Sequence, residues 1–351
     1  MKIGYSGRDD TANGHYRVMV PMAEMRRRGH KVISTRDQPL DSAPDWDVFH
    51  VHQWVSEDAS ALWELQSRGV GVVWDTDDDV RNAPMSRELR RVLGGRRAVR
   101  RFHRLSLEIA RSVDLMTTTN EHLASLYREQ GVERIKVMPN LLWRSSLPGR
   151  RRKHVGVVIG LVAAGEHVPD LEKLKIAKVL QAIQRAHDHV SVVMLGCDLK
   201  LRERYVHVPW VPFDDLLGRV RDFDIGLAPL VDSPFSRARS DIKLKEYAAA
   251  GVPWLASPVG PYAGLGEAQG GLLVADSDWF DAIDALVRDP YRRAELAGRA
   301  RAWAKTQTVA GLGGEWERAF REAAVHARGA ARDPVGGGTS RRHMRTSRNG
   351  A

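Results

Sequence analysis

Short apolar runs alternate with amphipathic stretches along nearly the whole chain. Runs at residues 1–5, 31–34, 47–52, 71–74, 113–118 and 135–138 are too short for helices, and several lack the polar alternation of a half-exposed strand. They predict strands of a parallel sheet covered on both faces. Between them, residues 18–28, 60–68, 87–104 and 120–130 carry helical spacing. The same alternation restarts at 155–162 and continues with strands at 191–195, 206–208, 224–229, 254–256 and 271–274. Helices are expected from about 169, over 212–223 and 242–250, and then at 279–286, 292–305 and 316–328. Strand–helix alternation of this kind predicts an α/β fold with two Rossmann-like parallel sheets.

A length of 351 residues is too great for one ordinary core and suits two domains. The boundaries expected are 1–144, a Pro/Gly/Arg-containing linker at 145–154, a second domain at 155–328, and a basic tail at 329–351 whose composition predicts disorder. A formal charge of +10 favours anionic partners without choosing among nucleotide phosphates, nucleic acid and acidic lipid. The single cysteine, Cys197, excludes a disulfide framework and any multi-cysteine metal site. With no apolar run of membrane-spanning length and a start that lacks a secretory signal, a cytoplasmic protein is expected.

Residues 236–260, SRARSDIKLKEYAAAGVPWLASPVG, concentrate the candidate chemistry. Ser240 or Asp241 can cap a helix that carries Lys243 and Glu246 and stops at Gly251 and Pro253. Arg237, Arg239 and Lys243 add positive charge around that helix start, a setting for a diphosphate. In the first half, NGHYR follows the opening strand, where Gly14 serves either a tight turn or a ligand. The strand at 71–74 runs into Asp75, Asp77, Asp78 and Asp79 at its carboxyl end, where parallel sheets bind ligands. Three uses are open to these acids: a divalent metal, an acceptor hydroxyl or base, or a helix cap. Alternation would send Asp75 and Asp77 to one side and Asp78 to the other. The run from Arg87 to Arg104 has a basic helical face broken at Gly94-Gly95; it is either solvated or docks on phosphates of a membrane or nucleic acid. His167 lies in the glycine turn after the second domain's first strand, as loop surface or ligand contact.

These pieces resemble a GT-B glycosyltransferase, and the second half is similar to the retaining glycosyltransferase family four. The resemblance rests on DIGLAPLVDSPF, SDIKLKEYAAAGVPWLASPVGPY, MPNLL, HVGVVIGLVAAGEHVPDL, NGHYR and VVWDTDDDV, and covers residues 1 to about 325. It implies a nucleoside-diphosphate-sugar donor held by the second domain, an acceptor held by the first, a final helix packed back toward the first domain, and retention without a metal or other cofactor. By position, Glu246 matches the second glutamate of the family's E-x7-E motif, which bonds the donor ribose. The resemblance places Arg239, Ser240, Asp241, Lys243 and Gly260 with it on the donor side. Gly14, His15, Tyr16, Arg17, Asp75 and Asp78 fall on the acceptor side, and Asp77 and His167 near the reacting centre. The motif's first glutamate is replaced by Ala238, which motivates an alternative, a catalytically silent GT-B protein that binds nucleotide or glycan. The arginines raise another, a glycosyltransferase acting on modified DNA. The sequence leaves the acceptor (glycan, lipid, protein or modified nucleic acid) and the oligomeric state open.

Overall fold

Six parallel strands make up the first sheet: β1 (Lys2–Ser6), β2 (Lys31–Ser34), β3 (Val48–His52), β4 (Gly71–Thr76), β5 (Leu115–Thr118) and β6 (Ile135–Val137). They are ordered β2-β1-β3-β4-β5-β6. The second sheet holds β7 (Val157–Ala163), β8 (Val190–Gly196), β9 (Tyr205–Val208), β10 (Ile225–Ala228), β11 (Trp254–Ala256) and β12 (Gly271–Leu273). Its order, β12-β11-β10-β7-β8-β9, is that of a doubly wound dinucleotide-type sheet. The computed structural model describes all residues except 8–10, 43–44, 54–58, 84–93, 145–153, 210–212 and 333–351. The expected linker, the first part of the arginine run and most of the basic tail therefore lie outside the described residues.

Continuous apolar runs form these strands because helices cover both faces. Every residue of β3, β4, β7 and β10 is buried. At the carboxyl end of β1 the sequence expectation needs correcting. The following helical run begins at Ala12, six residues before the expected position, with Thr11 Oγ1 accepting from the Gly14 amide at 3.0 Å. It passes through a π-helical turn, His15–Met19, before continuing as Val20–Arg27. Pro21 lies just beyond that wide turn, and its missing N–H would leave a gap in an ordinary α ladder. Gly14 consequently has an ordinary helical φ of −58° and occupies no tight turn.

The chain crosses between domains twice, and the two crossings pair with each other. The Leu142 amide donates to Gln307 O at 2.9 Å, and the Val309 amide donates to Leu142 O at 2.8 Å. After the second crossing, the helix Gly314–Arg332 lies on the first sheet. Its Trp316, Phe320 and Ala323 share a core with Ile3, Val18 and Met22. This helix runs through Arg332, past Gly329, where the tail was expected to begin. No helix among the described residues is long and apolar enough to cross a membrane.

Candidate active site between the two sheets

Strand order in the second sheet reverses between β7 and β10, leaving a crevice at their carboxyl ends. A narrow cavity of about 10 Å³, room for a single water molecule, lies there, and His167, Lys243 and Tyr262 are among its lining residues. Two local features aim these groups. The turn Gly165–His167 follows β7 directly, and the helix Ile242–Ala250 presents Lys243 in its first turn, stopping where Gly251 takes a φ of +69°. Lys243 Nζ donates to Glu246 Oε2 at 3.2 Å. Arg239 precedes that helix, its guanidinium 5.1 Å over the Phe235 ring. One of its nitrogens lies 3.3 Å from Glu166 Oε1 and 3.1 Å from His167 Nε2. His167 therefore accepts with Nε2. Burial first, and then the charges of Arg239 and Lys243, hold its pKa well below the usual imidazole value.

The other expected donor-side residues separate. Ser240 Oγ accepts from Asn140 Nδ2 at 3.1 Å, and Asp241 pairs with Lys245 Nζ at 2.8 Å. Gly260, with φ +56°, packs on the backbone of Ser236 and Arg237; a Cβ there would meet Ser236 O at 2.6 Å. It lines a wider opening of about 440 Å³ between the domains, together with Asn120, His122, Asp232 and Arg237. Ala238 is 0 % exposed and joins the apolar cluster of the first domain that contains Trp74 and Tyr127.

On the first-domain side, β4 extends through Thr76 and so takes Asp75 into the sheet. Arg17 and Asp75, expected to face an acceptor, are instead an interior ion pair with both side chains 0 % exposed. Arg17 Nε and Nη2 grip the carboxylate at 2.8 and 2.5 Å, and Thr117 Oγ1 donates to it at 2.8 Å. Nη1 donates to Met138 O and, at 3.0 Å, to Asn140 Oδ1, while the guanidinium lies 5.3 Å over the Trp316 ring. Burial opposes ionisation of Asp75, yet the Arg17 charge and hydrogen bonds hold it well below the usual carboxylate range. Severing such a pair on one side costs about 3–5 kcal/mol.

Asp77 and Asp78 part beyond the strand end. Asp77 accepts from Gln53 Nε2 at 2.7 Å and lies 3.6 Å from His52 Nε2, whose Nδ1 is 3.1 Å from Asp75 Oδ2. Burial and the neighbouring Asp78 charge push the Asp77 carboxyl up to about 7. Asp78 turns toward the second domain, 3.4 Å from Asn13 Nδ2; burial raises its pKa while Arg239 across the cleft opposes the rise. The ring of His15 stands edge-on to that of Tyr16 at 5.0 Å. Tyr16 itself crosses the cleft, and its hydroxyl donates to Glu246 Oε1 at 3.0 Å.

Several residues at this junction carried no role in the sequence reading. Asn140 joins both halves: it accepts from Arg17, donates to Ser240, and its carbonyl accepts from the buried Lys245 Nζ at 2.9 Å. Asn120 Nδ2 donates to Arg239 O at 2.7 Å while its Oδ1 caps the helix Glu121–Arg128. Asn140 stands in MPNLL, a signal for a junction but not for its partners. Away from the cleft, the expected basic helical region, within the described residues, is the helix Arg96–Ser112, which begins after Gly94 and Gly95, both at positive φ, and runs past the expected end at Arg104. Arg96, Arg97, Arg100, Arg101 and Arg104 are exposed along it.

No protein-family model matches the sequence, and no curated protein matches it. Solved structures do. Sucrose-phosphate synthase from Thermosynechococcus elongatus aligns at a TM-score of 0.63 and 13 % identity over 92 % of this chain and 98 % of its own. WaaG, a glycosyltransferase involved in lipopolysaccharide biosynthesis, gives 0.61 and 14 % over 90 % and 98 %. HepE from Anabaena, in complex with UDP-glucose, gives 0.62 and 14 % over 92 % and 99 %. S. aureus TarM gives 0.56 and 13 % over 78 % of this chain, which spans only 55 % of TarM. Two doubly wound parallel sheets, facing each other across a cleft and tied by a final helix that returns to the first, give this chain the GT-B fold.

Proposed function

We propose that the protein is a glycosyltransferase that moves a sugar from a nucleoside-diphosphate donor to an acceptor hydroxyl, with retention and without a metal ion. The observation that carries this reading is the convergence of Lys243, Glu246 and Arg239 beside the cavity at the β7–β10 switch point. Arg239 and Lys243 supply positive charge for a departing diphosphate, while Glu246 supplies a carboxylate for ribose hydroxyls. In the transfer, the bond from the anomeric carbon to the phosphate oxygen breaks as the acceptor oxygen bonds to that carbon on the same face. The acceptor proton passes to the departing phosphate oxygen, so no side chain has to form a covalent intermediate. Asp77 and Asp78 stand at the acceptor side of the cleft, and closure of the domains keeps water from competing.

HepE with UDP-glucose and the pneumococcal O-GlcNAc transferase GtfA with UDP and GlcNAc share the fold and support a nucleotide-sugar donor. The exposed arginines of Arg96–Ser112 suit an anionic surface and support a cytoplasmic protein in peripheral contact with acidic lipid or another polyanion. A second reading, nucleotide or glycan binding without transfer, is favoured by one observation, the buried Ala238 where the motif's first glutamate would fall. Incubating the purified chain with a panel of nucleotide sugars and following donor loss and nucleoside-diphosphate release by mass spectrometry separates the two. The proposal expects turnover of at least one donor, undiminished by a chelator. Binding without turnover of any donor supports the second reading.

A further inference from the structure

Resting on the donor assignment above, we infer that Tyr16 is a latch on the donor site: it occupies Glu246 from the opposite domain and must leave before a nucleotide can use that carboxylate. Tyr16 and Glu246 are 3 % and 2 % exposed. The Glu246 carboxylate is held at both ends, Oε1 by the Tyr16 hydroxyl at 3.0 Å and Oε2 by Lys243 Nζ at 3.2 Å. Lys243 reaches the cavity at the switch point, whereas Glu246 is absent from its lining. In this arrangement both oxygens of the carboxylate are engaged, Oε2 by the cation of its own helix and Oε1 by a residue of the first domain.

The surroundings give the latch a defined path. Tyr16 packs with Val20, Leu141 and Val309, so its ring sits among the two segments that cross between the domains. It also belongs to the π turn that carries Arg17, and Arg17 is anchored to Asp75 and to Asn140 at the first crossing. Rotating the domains apart about these crossings withdraws the hydroxyl from Glu246. The aromatic ring keeps Val20, Leu141 and Val309 as neighbours, while Ile242, which heads the helix carrying Glu246 and packs on the same cluster, moves away with that helix. A wide helical turn suits such a position, because its register can tighten or relax locally. Donor binding thereby becomes coupled to opening, and a fraction of the binding free energy goes into breaking one buried hydrogen bond to a carboxylate.

The test is Tyr16→Phe, which keeps the ring and removes only the hydroxyl. Wild type and variant are titrated calorimetrically with UDP, ADP and GDP, and amide hydrogen exchange over Ile242–Ala250 is measured without nucleotide. The latch predicts that Tyr16→Phe binds whichever nucleotide the wild type binds about 5- to 10-fold more tightly. It also predicts exchange in that helix accelerated by a similar factor. Unchanged or weaker binding by the variant, with the wild type still binding, overturns the latch and leaves the donor reading intact. Faster exchange with no nucleotide bound by either protein removes the donor reading, and the latch as a donor gate falls with it.

Discussion

His50 shows how much one side chain can contribute to holding the fold. It lies on β3, fully buried, with neither ring nitrogen bonded among the described residues. Its ring stands edge-on to Trp316 and Phe320 at 5.6 and 5.7 Å, where the last helix meets the sheet. Burial lowers its pKa from 6.5 to about 4. Between those values the unfolded chain binds a proton that the native chain does not, so this residue makes stability rise with pH from about 4 to 6.5 and fall on acidification. The shift corresponds to about 3 kcal/mol. Asp77 works the other way, since its raised value makes the native chain hold an extra proton between the ordinary carboxylate range and about 7. Comparing urea denaturation of wild type and His50→Leu isolates the histidine. The stability difference should shift in the variant's favour as pH drops from 7 to 4.5, whereas a constant difference would contradict a buried neutral imidazole. At this scale the sequence was informative about residue type and weak about partners. It marked Arg17 and Asp75 as site residues, but 58 positions separate them, and no periodicity reveals that a cation and an acid so far apart close on each other.

Among the elements, the buried strands were the most legible, because β3, β4, β7 and β10 bury both faces and so read as unbroken apolar runs. Trp254–Ala256 and Ile242–Ala250 fall where apolar run, Gly and Pro place them. Helix starts were less legible. The run from Ala12 opens with polar Asn13 and with Gly14, whose helical geometry is imposed by the Thr11 cap and by packing rather than by propensity. How the last helix docks was invisible too, because it depends on a glycine in another element. Gly71 opens β4, and a Cβ there would lie 2.5 to 2.6 Å from the backbone of Ala323 and Ala324. Backbone cannot swing aside as a flexible side chain can. Gly71→Ala should lower stability by about 1–3 kcal/mol and expose the helix Gly314–Arg332 to limited proteolysis. A variant with unchanged melting temperature and cleavage pattern would show that the helix has slack over the sheet.

Across the whole molecule, polar contacts run without interruption from one domain into the other. Ser240 bonds Asn140, Asn140 bonds Arg17, Arg17 grips Asp75, and His52 bonds Asp75 with Nδ1 while its Nε2 lies 3.6 Å from Asp77. The helix that carries Glu246 joins this chain of contacts through the buried Lys245, whose Nζ donates to Asn140 O, and Tyr16 ties it to the first domain directly. Two α/β domains were legible from the restart of the strand–helix alternation at residue 155. The shape of the site between them was not, because it depends on side chains more than a hundred positions apart. Ala238 makes the same point: the gap in the motif was visible in sequence, but its burial against the first domain was not. The central claim, a nucleotide-sugar donor held at the second sheet's switch point through Glu246, is tested most directly by calorimetric titration of wild type and Glu246→Ala with the nucleotide sugar that the wild type turns over. The account predicts that the variant binds at least about tenfold more weakly or not at all; equal affinity in the two proteins would contradict it.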